Sequence, residues 1–288
     1  MKRRNLVTTA TGSPNIHRSD DQALSEDLKF DLYSIQTNSI QKRGKTMSHT
    51  KTALITGANK GIGYAAARQL GALGYTVLLG ARSEARGKEA AAKLVSEGYD
   101  ARHIVLDVTD QGTIDAASKQ IADEFGSLDV LVNNAGASFE AFASPSQLEL
   151  SDLKATYETN FFGVFAVTKA FLPLLTEAPA GRIVNVSSGL GSLTFMSDMA
   201  AEYANFNFLA YPSSKTAVNA LTIMFAKEFR NTPLKINAAD PGYTSTDLTG
   251  NQGHRSAEQA AKIITHLATL PEDGPTGGFF NENGVVLW

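Results

Sequence analysis

Three glycines at the end of a short apolar run constrain this chain more than any other feature. Ala53-Leu54-Ile55 leads into Thr56-Gly57-Ala58-Asn59-Lys60-Gly61-Ile62-Gly63, and a helical stretch from Tyr64 to Leu73 follows. Glycine at 57, 61 and 63 permits a tight strand-to-helix turn and close approach of the backbone, so a pyrophosphate can rest on the helix N-terminus. The spacing is Gly-x-x-x-Gly-x-Gly, and a glycine-rich loop alone is often only a turn. Its place between a strand and a helix is what gives it weight.

Downstream the same alternation repeats. Strand-like runs fall at about 52–56, 76–80, 102–106, 128–133, 182–187 and 234–239, with helical patterns between them, which predicts crossover units and a mainly parallel sheet. Val130-Leu131-Val132 and Ile183-Val184-Asn185-Val186 are continuous, as strands covered on both faces should be. Gly277-Gly278-Phe279-Phe280 supplies a last strand. A single α/β domain over residues 47–288 accounts for this pattern. Residues 1–46 differ: they mix Lys2-Arg3-Arg4 with Asp20, Asp21, Glu26 and Asp27, are rich in Ser, Thr and Asn, and show no sustained period, so a disordered extension is expected.

Composition mainly excludes. A net charge of −3 and a pI near 6.0 give no basic field for nucleic acid. No run of about 18 apolar residues suggests a membrane span. With neither a secretory nor a transit pattern at the start, a cytoplasmic protein is expected. Zero cysteines exclude disulfides and thiolate chemistry, and the five histidines lie scattered without ligand spacing, so no metal site is expected.

Tyr211-Pro212-Ser213-Ser214-Lys215 sets a phenol and an ammonium four residues apart where a helix begins. On a helical turn the two share a face, and a nearby cation favours the charged form of a phenol. Bringing a tyrosine from about 10 to neutrality takes roughly 4 kcal/mol. One unit charge about 4 Å away, at an effective dielectric of about 20, supplies roughly that much. Alone, the pair would also fit a solvated helix face.

With Asn133-Asn134-Ala135-Gly136 lying between these two sites, the chain from about Lys51 onward resembles the short-chain dehydrogenases/reductases. The motifs come in the family's order: the glycine turn, Asp107 after the third strand, Asn133-Asn134-Ala135-Gly136 after the fourth, Asn160 in the following helix, and Ser187-Ser188 closing the fifth. Tyr211 and Lys215 open the next helix, and Pro241-Gly242-Tyr243-Thr244-Ser245-Thr246 follows the sixth strand. The resemblance implies a Rossmann-type doubly wound parallel sheet with helices on both faces, in the order 3-2-1-4-5-6-7. It also implies hydride transfer between nicotinamide and a carbonyl carbon, with Tyr211 as proton donor and Ser188, preferred over Ser187, bonding the carbonyl oxygen. Lys215 would bind the ribose and depress the Tyr211 pKa, and Asn160 would hold a water linking Lys215 to solvent.

For the cofactor, the position where an NAD-using relative offers an acid carries Ala81, and Arg82 follows it. With Lys60 as a second cation this favours NADP(H). The resemblance extends the site to Gly57, Asn59, Gly61, Ile62 and Gly63 in the turn. Asp107 would accept from the adenine amino group beside Val108, and Asn133, Ala135 and Gly136 would line the adenosine side. Beyond Pro241 and Gly242, Thr244 and Thr246 would hold the nicotinamide amide or a phosphate.

Between Ser188 and Tyr211 lie 22 residues, Gly189 to Ala210, including Leu193, Phe195, Met196, Tyr203, Phe206 and Phe208. Such an insert, and the Asn59 to Gly63 turn, resemble the monomeric carbonyl-reductase branch, with its plant terpenoid and alkaloid ketone reductases. The insert either lines an apolar substrate pocket or packs locally, and covering the helices after the fourth and fifth strands would leave a monomer. An NADPH-dependent reductase of an aldehyde, ketone or quinone is the leading expectation. A 3-oxoacyl thioester reductase and a non-catalytic NADP(H) sensor are the alternatives.

Overall fold

The computed structural model of the chain describes residues 50–140, 143–200 and 206–288, all within the unit Lys42–Trp288. The expected extension over residues 1–46 lies outside the described residues. From Thr50 onward strands and helices alternate: β1 Thr52–Thr56, α1 Gly61–Ala72, β2 Thr76–Ala81, α2 Glu84–Ser96, β3 Ala101–Val105, α3 Gln111–Phe125 and β4 Val130–Asn133. Then come α4 Leu150–Tyr157, a π-helical turn Glu158–Phe162, α5 Gly163–Glu177, β5 Arg182–Val186, α6 Leu193–Met196 and α7 Ala210–Glu228. β6 Lys235–Ala239, α8 Ala257–Ala268, β7 Phe279–Asn281 and β8 Gly284–Val285 close the chain.

The sheet runs β3-β2-β1-β4-β5-β6-β7-β8, parallel throughout except for the antiparallel β7–β8 pair. This is the expected order with one short strand added. Every residue of β1, β2, β4 and β5 is buried, whereas the edge strand β3 exposes Arg102 and Val105. Two-faced burial explains why the central strands read as continuous apolar runs.

Alternation along each strand divides the core between two layers. Ala53, Ile55, Val77 and Leu79 pack with α1, α2 and α8, through Leu70, Leu94 and Ile264 among others. Leu54, Leu78, Leu131 and Ile183 pack on the other face with Ile114 and Ile121 of α3 and Phe171 and Leu175 of α5. Fully burying one such side chain is worth about 1.5–3 kcal/mol.

One exclusion needs correction. Leu150–Glu177, 28 residues with a mean hydropathy of 1.3 in its most apolar window, is long and apolar enough to pass for a membrane span. Its apolarity has a core use, since Val167, Phe171 and Leu175 are buried against the sheet.

Candidate active site

The carboxyl ends of β1, β4, β5 and β6 carry the site. At β1 the glycine turn and the Asn-Asn-Ala-Gly segment interlock. Thr56 Oγ1 accepts from the amides of Asn134 and Ala135, at 2.9 and 3.0 Å. Asn134 Nδ2 donates to the carbonyls of Thr56 and Gly57, at 2.8 and 3.3 Å. Gly57 has φ +65°, where side chains are strained, and a Cβ on Gly63 would fall 2.5 Å from Asn134 Nδ2. The turn is therefore braced from behind by β4. Asn134 and Thr56 stand in motifs legible in the sequence, but their bracing role was not, because their partners lie about 78 positions away.

In front, α1 begins at Gly61, and its N-cap residue Lys60 makes no side-chain cap. Its first amides are thus free to receive a phosphate, which fits a dinucleotide. Thr246 sits opposite, its Cγ2 within 3.6 Å of a Cβ built at Gly61.

Ser188, Tyr211 and Lys215 come together at the end of β5. Tyr211 stands beside Ser188, whose side chain favours the ionised phenol. Lys215 is 3% exposed, its Nζ lies 5.6 Å from the centre of the Tyr211 ring, and it donates a 2.7 Å hydrogen bond to the Val186 carbonyl. Ser187 turns inward instead, donating to Asn219 Oδ1 at 2.6 Å, which leaves Ser188 as the serine beside Tyr211.

The electrostatic balance reverses the expectation for Tyr211. Burial first, and then Asp240, push its pKa up to about 12 against the opposing effect of Ser188. Tyr211 keeps some exposed surface, but protein packed round it dominates its solvation. Burial also brings Lys215 down to about 8. Low dielectric disfavours both charges, and the lysine spends a proton on a backbone carbonyl. The phenol is thereby held as an acid at neutral pH. Asp240, just before Pro241-Gly242, went unnoticed in the sequence because carboxylates at strand ends carry no signature.

Asn160 lies in the π-helical turn, not in regular helix; such turns are frequent at functional sites. Fully buried, it accepts from Ala137 N at 2.8 Å and donates to Ala137 O and Ser214 Oγ, each at 2.9 Å. A Cβ on Gly136 would lie 3.5 Å from Asn160 Oδ1 and 3.6 Å from Lys215 Nζ, so the three converge.

The cofactor periphery is more divided. Arg82 is exposed directly after the buried Ala81. Lys60 is paired with Asp247, so its charge is shared across the groove between the glycine turn and the segment after β6. Asp107 accepts from the amide and hydroxyl of Thr109 with one carboxylate oxygen, Oδ1. Val108 is buried against Gly163. The Asn133 side chain does not face the adenosine groove: it is 3% exposed and donates to Thr168 Oγ1 and Asn185 Oδ1. Thr244 is buried and bonds the Gly242 carbonyl.

Residues 51–257 match the family model described as short chain dehydrogenase. The chain belongs to that family. Short-chain dehydrogenase anuI of Penicillium roqueforti is 38% identical over 222 residues, covering 75% of this chain and 87% of that protein. Carbonyl reductase [NADPH] 1 of Bos taurus is 34% identical over 275 residues, with 82% and 98% covered. The crystal structure of NADPH-bound carbonyl reductase from chicken fatty liver superposes with a TM-score of 0.73 at 28% identity, covering 84% of this chain and all of that one. Like its relatives, this short chain dehydrogenase is an oxidoreductase of the alcohol–carbonyl couple.

In this family member the described part of the insert turns toward the last strands. Ser192 Oγ donates to the Leu287 carbonyl, Thr194 N and Oγ1 donate to that of Trp288, and Phe195 packs with Ala238, Phe279 and Val286. Leu193, Met199 and Phe206 are exposed, and Tyr203 lies outside the described residues. The outer faces of α5 and α7 leave Phe165 and Met224 exposed, so the described insert does not cover them. A cleft of about 630 Å³ between α4 and the start of α7, lined by Leu153, Tyr157, Phe162 and Leu209, includes none of Ser188, Tyr211 and Lys215.

Proposed function

We propose that the protein is an NADPH-dependent carbonyl reductase, taking an aldehyde, ketone or quinone with Tyr211 as its proton donor. The observation that carries this reading is the buried Lys215, its ammonium 5.6 Å from the centre of the Tyr211 ring, with Ser188 beside that phenol. When bound, the nicotinamide supplies the hydride. The Ser188 and Tyr211 hydroxyls would together bond a carbonyl oxygen that gains negative charge as its carbon is reduced. Tyr211, neutral up to about 12, gives that oxygen its proton. Lys215 offsets the phenolate left behind, and Asn160, tied to Ala137 and Ser214, fixes the wall beside it.

NADP(H) is favoured by Arg82, which is exposed at the end of β2 where Ala81 offers no carboxylate to repel a 2′-phosphate. Relatives named for NADPH support the same choice. The exposed apolar side chains of the insert favour an apolar substrate, and a constellation drawn wholly from one chain is compatible with a cytoplasmic monomer. Loss of NADPH absorbance against a panel of carbonyl compounds tests the reading. Turnover abolished by Tyr211→Phe supports it; NADPH binding without turnover of any carbonyl would favour the sensor.

A further inference from the structure

The helix that carries Tyr211 and Lys215 starts without a cap of its own. Leu209 stands at the N-cap of α7 and offers no side-chain acceptor, because the chain arrives there directly from the insert. Four residues, Leu209 to Pro212, precede the first helical hydrogen bond, from Ser213 N to the Leu209 carbonyl. Pro212 has no N–H, which leaves three orphan donors. All three go to one side chain. Glu140 Oε2 accepts from Leu209 N at 2.9 Å and Ala210 N at 2.6 Å, and Oε1 accepts from Tyr211 N at 2.7 Å.

Glu140 is 2% exposed, and no described lysine or arginine forms a salt bridge with it. A buried carboxylate without a cation is costly, and here three amides at the positive end of a helix offset that cost. The segment that bears it is anchored at its other end as well. Ala137 is gripped by Asn160, which also holds Ser214, one turn into α7. Tyr211 therefore lies between two ties to the same stretch of chain, residues 137–140.

We propose that Glu140 is the positioning residue for Tyr211: it fixes the backbone of the catalytic turn, and so the reach of the phenol to Ser188 and the substrate carbonyl. Both of its carboxylate oxygens are committed to backbone amides, so it acts through Tyr211 rather than on the substrate. The inference rests on the function proposed above, in which Tyr211 is the proton donor.

Glu140→Gln keeps the shape but turns an NH₂ toward at least one of the three amides. Misplacement of a reacting group by a fraction of an ångström to 1 Å costs up to about a hundredfold in rate. The expected result is a fall in kcat of about tenfold or more, with the Kd for NADPH and the KM for the carbonyl changed by less than about twofold. Glu140→Asp, which keeps the carboxylate on a shorter arm, should recover part of kcat, and it stands in if the glutamine variant does not fold. A kcat within about twofold of wild type in the folded variant would overturn the proposal, as would a loss of NADPH affinity that matches the loss of kcat. Hydrogen exchange at the amides of Leu209, Ala210 and Tyr211 separates this from the functional reading. If the wild-type chain reduces no carbonyl, that reading fails, while faster exchange confined to these three amides in Glu140→Gln still supports the positioning contact and unchanged exchange removes it.

Discussion

Lys215 holds its ammonium 5.6 Å from the centre of the Tyr211 ring while donating to the Val186 carbonyl at 2.7 Å. It is buried beside an aromatic face, with part of its hydrogen-bonding capacity committed to the end of β5. Burial dominates both groups, leaving the phenol neutral and loosening the lysine's hold on its proton.

The lysine makes stability depend on pH in a defined window. Its pKa falls from 10.5 to about 8 on folding. Between those values the unfolded chain binds the proton that the folded chain has lost. Its contribution therefore rises with pH across the window and is lost as pH falls through about 8. A displacement of this size corresponds to about 3 kcal/mol. Lys215→Met should gain on the wild type at neutral pH, and the difference should shift by up to about 3 kcal/mol toward the wild type near pH 10.5. Urea midpoints at the two pH values measure this; a constant difference sinks it.

Tyr211→Phe should lose nearly all turnover and bind NADPH as before, because the hydroxyl acts in the transition state and does not hold the cofactor. Steady-state rates alongside fluorescence titration decide it. Activity within a few-fold of wild type would remove Tyr211 from its role.

Arg82→Ala should weaken NADPH by about ten- to a hundredfold, the worth of a hydrogen bond to a charged group, and leave NADH nearly unchanged. Equal losses for both cofactors would falsify contact with the 2′-phosphate. Lys60→Ala should cost less, since Lys60 is already paired with Asp247.

Gly63→Ala should destabilise the fold by about 1–3 kcal/mol, the usual cost of an overpacked methyl. Its Cβ would meet Asn134 Nδ2 at 2.5 Å and the Gly57 carbonyl at 2.8 Å. NADPH affinity should fall with it, because the displaced Asn134 no longer braces the turn. Thermal midpoint and cofactor titration check both; an unchanged midpoint would show that the brace yields freely.

The sequence by itself determined the sheet, the turn and the pairing of Tyr211 with Lys215. Strands buried on both faces must be apolar throughout, so β1, β4 and β5 could be read directly; glycines at 57 and 63 answer to backbone geometry; and Tyr211 and Lys215 meet through helix periodicity alone. These are local signals, carried by residues within a few positions of each other. Tertiary structure alone decided which groups enclose that pair. Solvation depends on everything packed around a site, so Coulomb reasoning from one lysine gave the wrong direction for Tyr211, and Asp240 and the burial that outweigh it had no mark in the chain. The same holds for Asn133, turned from the groove into a buried amide ladder with Asn185, and for the insert, whose described part packs on the last strands. It holds most clearly for Glu140, which reaches the Tyr211 amide across 71 positions. Hydrogen bonds of that span leave no period or motif behind, because any acceptor that the fold brings to a bare helix end can satisfy it.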